Sequence, residues 1–144
     1  MTTEIKFRNI TKYKFELLQE FIFKSELFSM YSGDITTSKE NDIVYLDSDK
    51  DELHIKKHFL WDGSSVPFKN ILRLIGWKVD RYCHKASLIH DALYLLMRIN
   101  ALTDEFQAIA DLIYYQLCLE GGMPRYQADL RYWALRHFGY LTLK

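Results

Sequence analysis

Polar residues that interrupt apolar patterns are the first places to look for chemistry. His90 and Asp91 stand in the middle of Ala86 to Met97, the most apolar stretch of the chain. Asp111 sits inside Ala108-Ile109-Ala110-Asp111-Leu112-Ile113, and Asp62 stands between Trp61 and Gly63, where a strand pattern ends. A carboxylate or imidazole in such surroundings is costly unless it is paired, hydrogen-bonded or exposed. Acids combined with one imidazole suit a divalent cation such as Mg, Mn or Zn. The metal reading takes Asp62, His90 and Asp111 as ligands. The same groups, with Asp91, suit general acid–base work without a metal.

Each residue also has a plain structural reading. Asp62 can close a turn by accepting hydrogen bonds from the backbone amides of Ser64 and Ser65. Asp91 shares a stripe with His84, Ser87 and Arg98, the pattern of a solvated helix face. His90 shares a face with Ala86, Leu93 and Met97, so it is expected in the core and must find partners there. Asp111 has two arginines to choose from, Arg131 or Arg136. Ser64 and Ser65 near a histidine invite comparison with a nucleophile. However, Gly63-Ser64-Ser65-Val66-Pro67 lacks the second glycine of the nucleophile elbow. No His-Glu-x-x-His or Cys/His cluster occurs.

The elements that position these residues change character along the chain. Lys14 to Leu17, Glu20 to Phe23, Asp42 to Leu46, Leu53 to Lys56 and Phe59 to Trp61 read as short strands. Phe21 and Phe23 share one face, and Ile22 takes the other. Asp47 to Glu52 reads as a solvated connection. A short helix is expected over Phe68 to Ile75. Longer helices are expected over Arg81 to Arg98, with Val79 or Asp80 as cap, over Asp104 to Leu119 with Thr103 as N-cap, and from Pro124 to Phe138. Gly121-Gly122 and Gly139 mark helix ends. Strands first and helices afterwards indicate an α+β fold: antiparallel strands packed against three main helices. One domain is expected over residues 1–144, strand-rich over about 13–61 and helical over about 68–139.

Composition narrows the function classes. Nineteen basic residues balance nineteen acidic ones. They divide into a net charge of −2 over residues 1–60 and +2 over residues 61–144. That polarity is too weak for a protein that grips phosphate backbone, so nucleic-acid binding is not expected. The last helix nevertheless mixes Arg125, Tyr126, Arg131, Tyr132, Trp133, Arg136 and His137. Asp129 offsets Arg125 there, while Trp133, Leu130 and Phe138 read as core. Cys83 and Cys118 lack metal or redox spacing and read as buried thiols in a reducing compartment. No signal peptide or membrane span is visible, so a soluble intracellular protein is expected. Aromatic residues reach 15%, more than one small core needs, so some rings should face a ligand or partner.

Four segments together resemble a small phage and prophage family catalogued as domain of unknown function 1353. They are His58-Phe59-Leu60-Trp61-Asp62-Gly63-Ser64-Ser65-Val66-Pro67, His90-Asp91-Ala92-Leu93-Tyr94, Ala110-Asp111-Leu112-Ile113-Tyr114, and Tyr132 through Arg136 to Phe138-Gly139. Their order and approximate spacing agree with the family from about Phe15 to Gly139. His58 replaces the family's usual glycine, and Ser64 its usual alanine. Gln107 stands where an arginine is common, so an anionic ligand is expected to be held differently here. The resemblance implies a phage origin, in the host cytoplasm or the virion, and singles out Asp62, Ser65, His90, Asp91 and Asp111.

Three functions follow as expectations. The first is a small hydrolase of phosphoester or amide bonds. In it Asp62, His90, Asp91 and Asp111 converge, and Ser64, Ser65, Trp61, Tyr94 and Gln107 line the ligand. A divalent metal is its expected cofactor. The second is a non-catalytic protein that sequesters a host metabolite or inhibits a host defence protein. The third is a virion or assembly protein whose polar residues cross-link strands to helices. A small molecule or host protein is the expected partner, and no pattern specifies an oligomeric state.

Overall fold

The structure, a computed structural model, describes residues 5–11, 14–37, 42–62 and 83–142. Its strands precede its helices, giving the expected α+β fold. The strands are β1 (Phe7–Thr11), β2 (Lys14–Leu17), β3 (Phe21–Lys24), β4 (Val44–Asp47), β5 (Glu52–Ile55) and β6 (Leu60–Asp62). They form two antiparallel three-stranded sheets, ordered β1-β2-β6 and β3-β5-β4. The helices are α1 (His84–Arg98), α2 (Gln107–Glu120) and α3 (Arg125–Phe138). The short helix expected over Phe68 to Ile75, and the caps Val79 and Asp80, lie outside the described residues.

Period-two alternation sets each sheet's inner face. In the first sheet Phe15 stands opposite Trp61, with ring centroids 5.5 Å apart, while Leu60 points out. Phe7 closes on both rings and on His84 at the start of α1. This packing explains β1, a strand that its polar sequence does not announce. In the second sheet Leu53 and Ile55 are fully buried, with Glu52 and His54 between them on the other face. Residues 48–51 alone form the turn expected over Asp47 to Glu52, and Asp47 is itself buried.

His58 lies in the connection between β5 and β6 and takes φ 78°. Left-handed backbone suits glycine and strains other residues. The imidazole Nδ1 lies 2.7 Å from Glu16 Oε2, and Arg8 holds the other oxygen. The His58 bond, then the Arg8 bond, hold the Glu16 carboxyl below its ordinary value of 4.5. A carboxyl lowered in the folded state stabilises above its unfolded value, and that contribution is lost as pH falls through the folded one. Melting temperature followed from about pH 6 to about pH 3 should therefore drop below pH 4.5. In His58→Gly the drop should be shallower. An unchanged profile would remove the pair from the stability balance.

Two helix boundaries depart from expectation. Cys83 is a turn and α1 is described from His84, whereas residues 81 and 82 lie outside the described residues. Asp104–Phe106 forms a 3-10 turn, and Thr103 makes no side-chain cap. The Thr103 hydroxyl instead accepts from the Tyr31 hydroxyl at 3.1 Å. Phe106 in this turn is fully buried against Phe28 and Tyr31, and α2 begins at Gln107. At the other end of α2, Gly122 takes φ 97°. The amides of Gly122 and Met123 return to Leu119 and Cys118, a Schellman closure.

One apolar core runs through both sheets and all three helices. His90 belongs to it, as its helical face requires. Helix α3 corrects the expectation for Trp133 and Leu130. It packs on α2 through Ala128, Arg131, Ala134 and Leu135, a three- and four-residue stripe. That stripe turns Arg131 inward, 0% exposed, and leaves Trp133 50% exposed. Trp133 rests on His137 and Phe138 instead.

Candidate functional site

Three helices bring their polar residues to one carboxylate. Asp111 on α2 is 0% exposed, with Ala110 buried beside it. His90 and Tyr94 lie one turn apart on α1, so both reach the same neighbour. His90 Nε2 donates to Asp111 Oδ1 at 2.9 Å, and the Tyr94 hydroxyl donates to that oxygen at 2.7 Å. From α3, Arg136 Nη1 donates to Oδ2 at 3.0 Å. Of the two arginines offered by the sequence, Asp111 thus takes Arg136. Burial, then the charge of Asp111, push the Tyr94 phenol far up, so it remains a donor.

The chain end is fitted to this cluster. A Cβ at Gly139 would lie 2.6 Å from the Tyr94 hydroxyl and 2.9 Å from Gln107 Nε2. Gln107 also reaches the Leu135 carbonyl from α2. Hence the Tyr94, Asp111 and Phe138-Gly139 segments meet at one place in the fold. Gly139→Ala should cost about 1–3 kcal/mol in chemical denaturation. Tyr94→Phe removes the atom struck, so the double variant should lose less than the sum of the two. Additive losses would place the clash elsewhere.

The imidazole is held asymmetrically. Because a carboxylate only accepts, His90 Nε2 carries the proton in that bond, and a neutral ring keeps its lone pair on Nδ1. His90 is 1% exposed, and its Nδ1 has no hydrogen-bond partner among the described residues. Such an atom costs about 1–3 kcal/mol unless something meets it. The ring packs on Tyr94 at 4.0 Å and Tyr114 at 5.2 Å.

A second buried group abuts the first. Arg131 Nη1 donates to the Tyr114 hydroxyl at 2.8 Å and to Cys83 Sγ at 3.1 Å. Burial pushes the Tyr114 phenol well up, and its bond to Cys83, then burial, push up the Cys118 thiol. Both cysteines are buried and neither forms a disulfide, as their surroundings in sequence imply.

The remaining sequence candidates divide. Trp61 is buried and donates from Nε1 to Ser87 Oγ at 3.2 Å. Ser87 precedes His90 by one turn, so this bond ties the exit of the first sheet to the α1 site. Asp91 is half-buried on the adjacent face of α1. The backbone of Asp62 ends β6 opposite Lys14. Its side chain, with Ser64 and Ser65, lies outside the described residues.

A further cluster is not apparent from the sequence pattern. Asp47, Glu52 and His54 each offer a ligand atom within 4.8 Å of the others. Asp47 faces Glu52 across the hairpin, and His54 stacks on Tyr45 at 4.6 Å. His54 Nε2 lies 3.2 Å from Glu52, and Nδ1 lies 3.6 Å from Glu20. The alternation of Glu52 and His54 is the signal that points to it, once the hairpin places Asp47 opposite.

The family model described as a protein of unknown function (DUF1353) matches residues 39–135, about two thirds of the chain. The match contains the histidine and aspartate segments and stops short of Gly139. No curated protein and no solved structure matches the chain.

Proposed function

The chain belongs to the DUF1353 family, and we propose that it is a phage-encoded acid–base hydrolase in which His90 transfers the proton and Asp111 holds it in place. The observation that carries this reading is the asymmetric imidazole. Asp111 fixes the ring orientation through Nε2, which leaves Nδ1 as the ring nitrogen without a partner among the described residues. Tyr94 and Arg136 hold the carboxylate in turn. In this reading Asp62, with Ser64 and Ser65, orients a phosphoester or amide substrate. The Trp61–Ser87 bond ties β6 to α1.

A metal-free form is favoured over a metal bound by Asp111. Both carboxylate oxygens already accept from donors, and one donor is a guanidinium at 3.0 Å. A cation brought there would meet that positive charge at close range. The test is a panel of phosphomonoesters, phosphodiesters, cyclic dinucleotides and peptide amides, assayed with and without Mg or Mn. A turnover that falls at least about a hundredfold in His90→Gln is expected. The melting temperature should fall only modestly. Turnover that survives His90→Gln would sink the proposal.

One observation favours a second reading, the structural one. Asp111 has no exposed surface and joins all three helices, as a cross-link in an assembly protein would. That reading expects every loss in His90→Gln to track loss of folding.

A further inference from the structure

Away from the Asp111 cluster, a groove of about 530 Å³ runs along β3. Its floor includes Phe21 and Phe23, and its far wall is Ile113, Gln116, Leu117 and Glu120 of α2. Those α2 positions are spaced by three and four residues and so present one helix face.

β3 is an edge strand, because the sheet order is β3-β5-β4. The phase of its hydrogen bonds is fixed from both sides. The Ser25 amide donates to the Asp51 carbonyl at 3.1 Å. Antiparallel alternation then directs the peptide groups of Phe21 and Phe23 to Ile55 and Leu53, their partners in register. On the other edge of β5, the Lys56 amide donates to Ile43, which commits the even-numbered β5 residues to β4. Ile22 and Lys24 therefore aim their N–H and C=O groups away from the sheet. No backbone group among the described residues pairs with them. Ile22 and Lys24 both line the groove, so this edge opens into it.

A cation sits in the same groove. Lys85 Nζ lies 5.9 Å from the Phe21 ring and 5.7 Å from the Phe23 ring. It makes no ion pair among the described residues, although Glu26 and Glu120 line the same groove and the charge of Glu120 favours its protonated form. Burial lowers its affinity for the proton, which an anion beside it would restore.

An outward-facing strand edge, a helix wall that carries Ile113 and Leu117 beside Gln116 and Glu120, and an ammonium with no ion pair among the described residues are what an extended peptide meets in strand addition. We propose that the β3–α2 groove binds an extended segment of a partner protein as an added strand, with alternate apolar side chains against α2 and a carboxylate against Lys85. A strand beside β3 would lie about 4.8 Å away, within reach of the Ile22 and Lys24 peptide groups. This inference is independent of the hydrolytic reading.

The probe is a library of short peptides displayed with free carboxyl termini and selected on the full chain. Enriched sequences should alternate apolar residues and carry a carboxylate at a fixed place. Bound peptide should slow amide exchange at Ile22 and Lys24. Ile22→Pro removes an outward N–H that the fold does not use, and edge strands tolerate proline. Its melting curve should stay near that of the parent, and its peptide affinity should fall at least about tenfold. Lys85→Gln should weaken acidic peptides selectively, by a similar factor. No enrichment, or exchange at Ile22 and Lys24 unchanged by the selected peptides, would overturn the proposal, and the exchange readout needs no variant. Dimerisation of the chain that is lost in Ile22→Pro would also overturn it, by assigning the edge to a second copy.

Discussion

Asp111→Ala is expected to lower stability by about 3–5 kcal/mol, the cost of breaking a buried charge cluster from one side. At this chain length that is a fall in melting temperature of roughly 10 °C or more. Removing the carboxylate takes the acceptor from His90, Tyr94 and Arg136 together. His90 and Tyr94 are buried and have no water to turn to. Arg136 is 36% exposed and can be rehydrated, so Arg136→Ala should cost much less. Thermal melts of the two variants check the ranking. Equal losses would mean that the Arg136 bond, and not the α1 pair, dominates the cluster.

Arg131→Ala should be comparably severe, at about 3–5 kcal/mol. It opens a cavity at a side chain with 0% exposure and strands the Tyr114 hydroxyl beside it. Arg131→Met keeps most of the volume and introduces no charge. Buried ions can often be exchanged for apolar groups of similar size. Methionine should therefore restore at least half of the lost stability, as read by denaturant midpoint. If methionine were no better than alanine, the bonds to Tyr114 and Cys83 would outweigh packing.

These two residues show what a sequence makes visible. His90 and Asp111 break apolar helical runs, so the cost of burying them is legible from the pattern of residues alone. Which arginine answers Asp111 is not. Arg131 and Arg136 lie on one helix, and only the docking of α3 on α2 decides that Arg136 reaches the carboxylate while Arg131 turns toward Tyr114 and Cys83. The strands over Lys14 to Leu17 and Leu53 to Lys56 are legible from alternation. β1 is not, because its place depends on Phe7 meeting Phe15 and Trp61 across the sheet. Thr103 has the composition of a cap, yet Tyr31 from a distant segment engages it. Likewise, Asp47, Glu52 and His54 become one cluster only once the hairpin register is known. In each miss a non-local contact overrides a local preference.

The position of Asp111 also bears on how the helices come together. It is carried by α2, and its donors arrive from α1 and α3. With two helices docked and the third absent, the carboxylate would leave water with part of its donor set missing. That state carries a desolvation cost of several kcal/mol with incomplete repayment. Half-assembled arrangements thereby gain less from docking than the finished bundle does. The buried charge thus favours the docking of the three helices together.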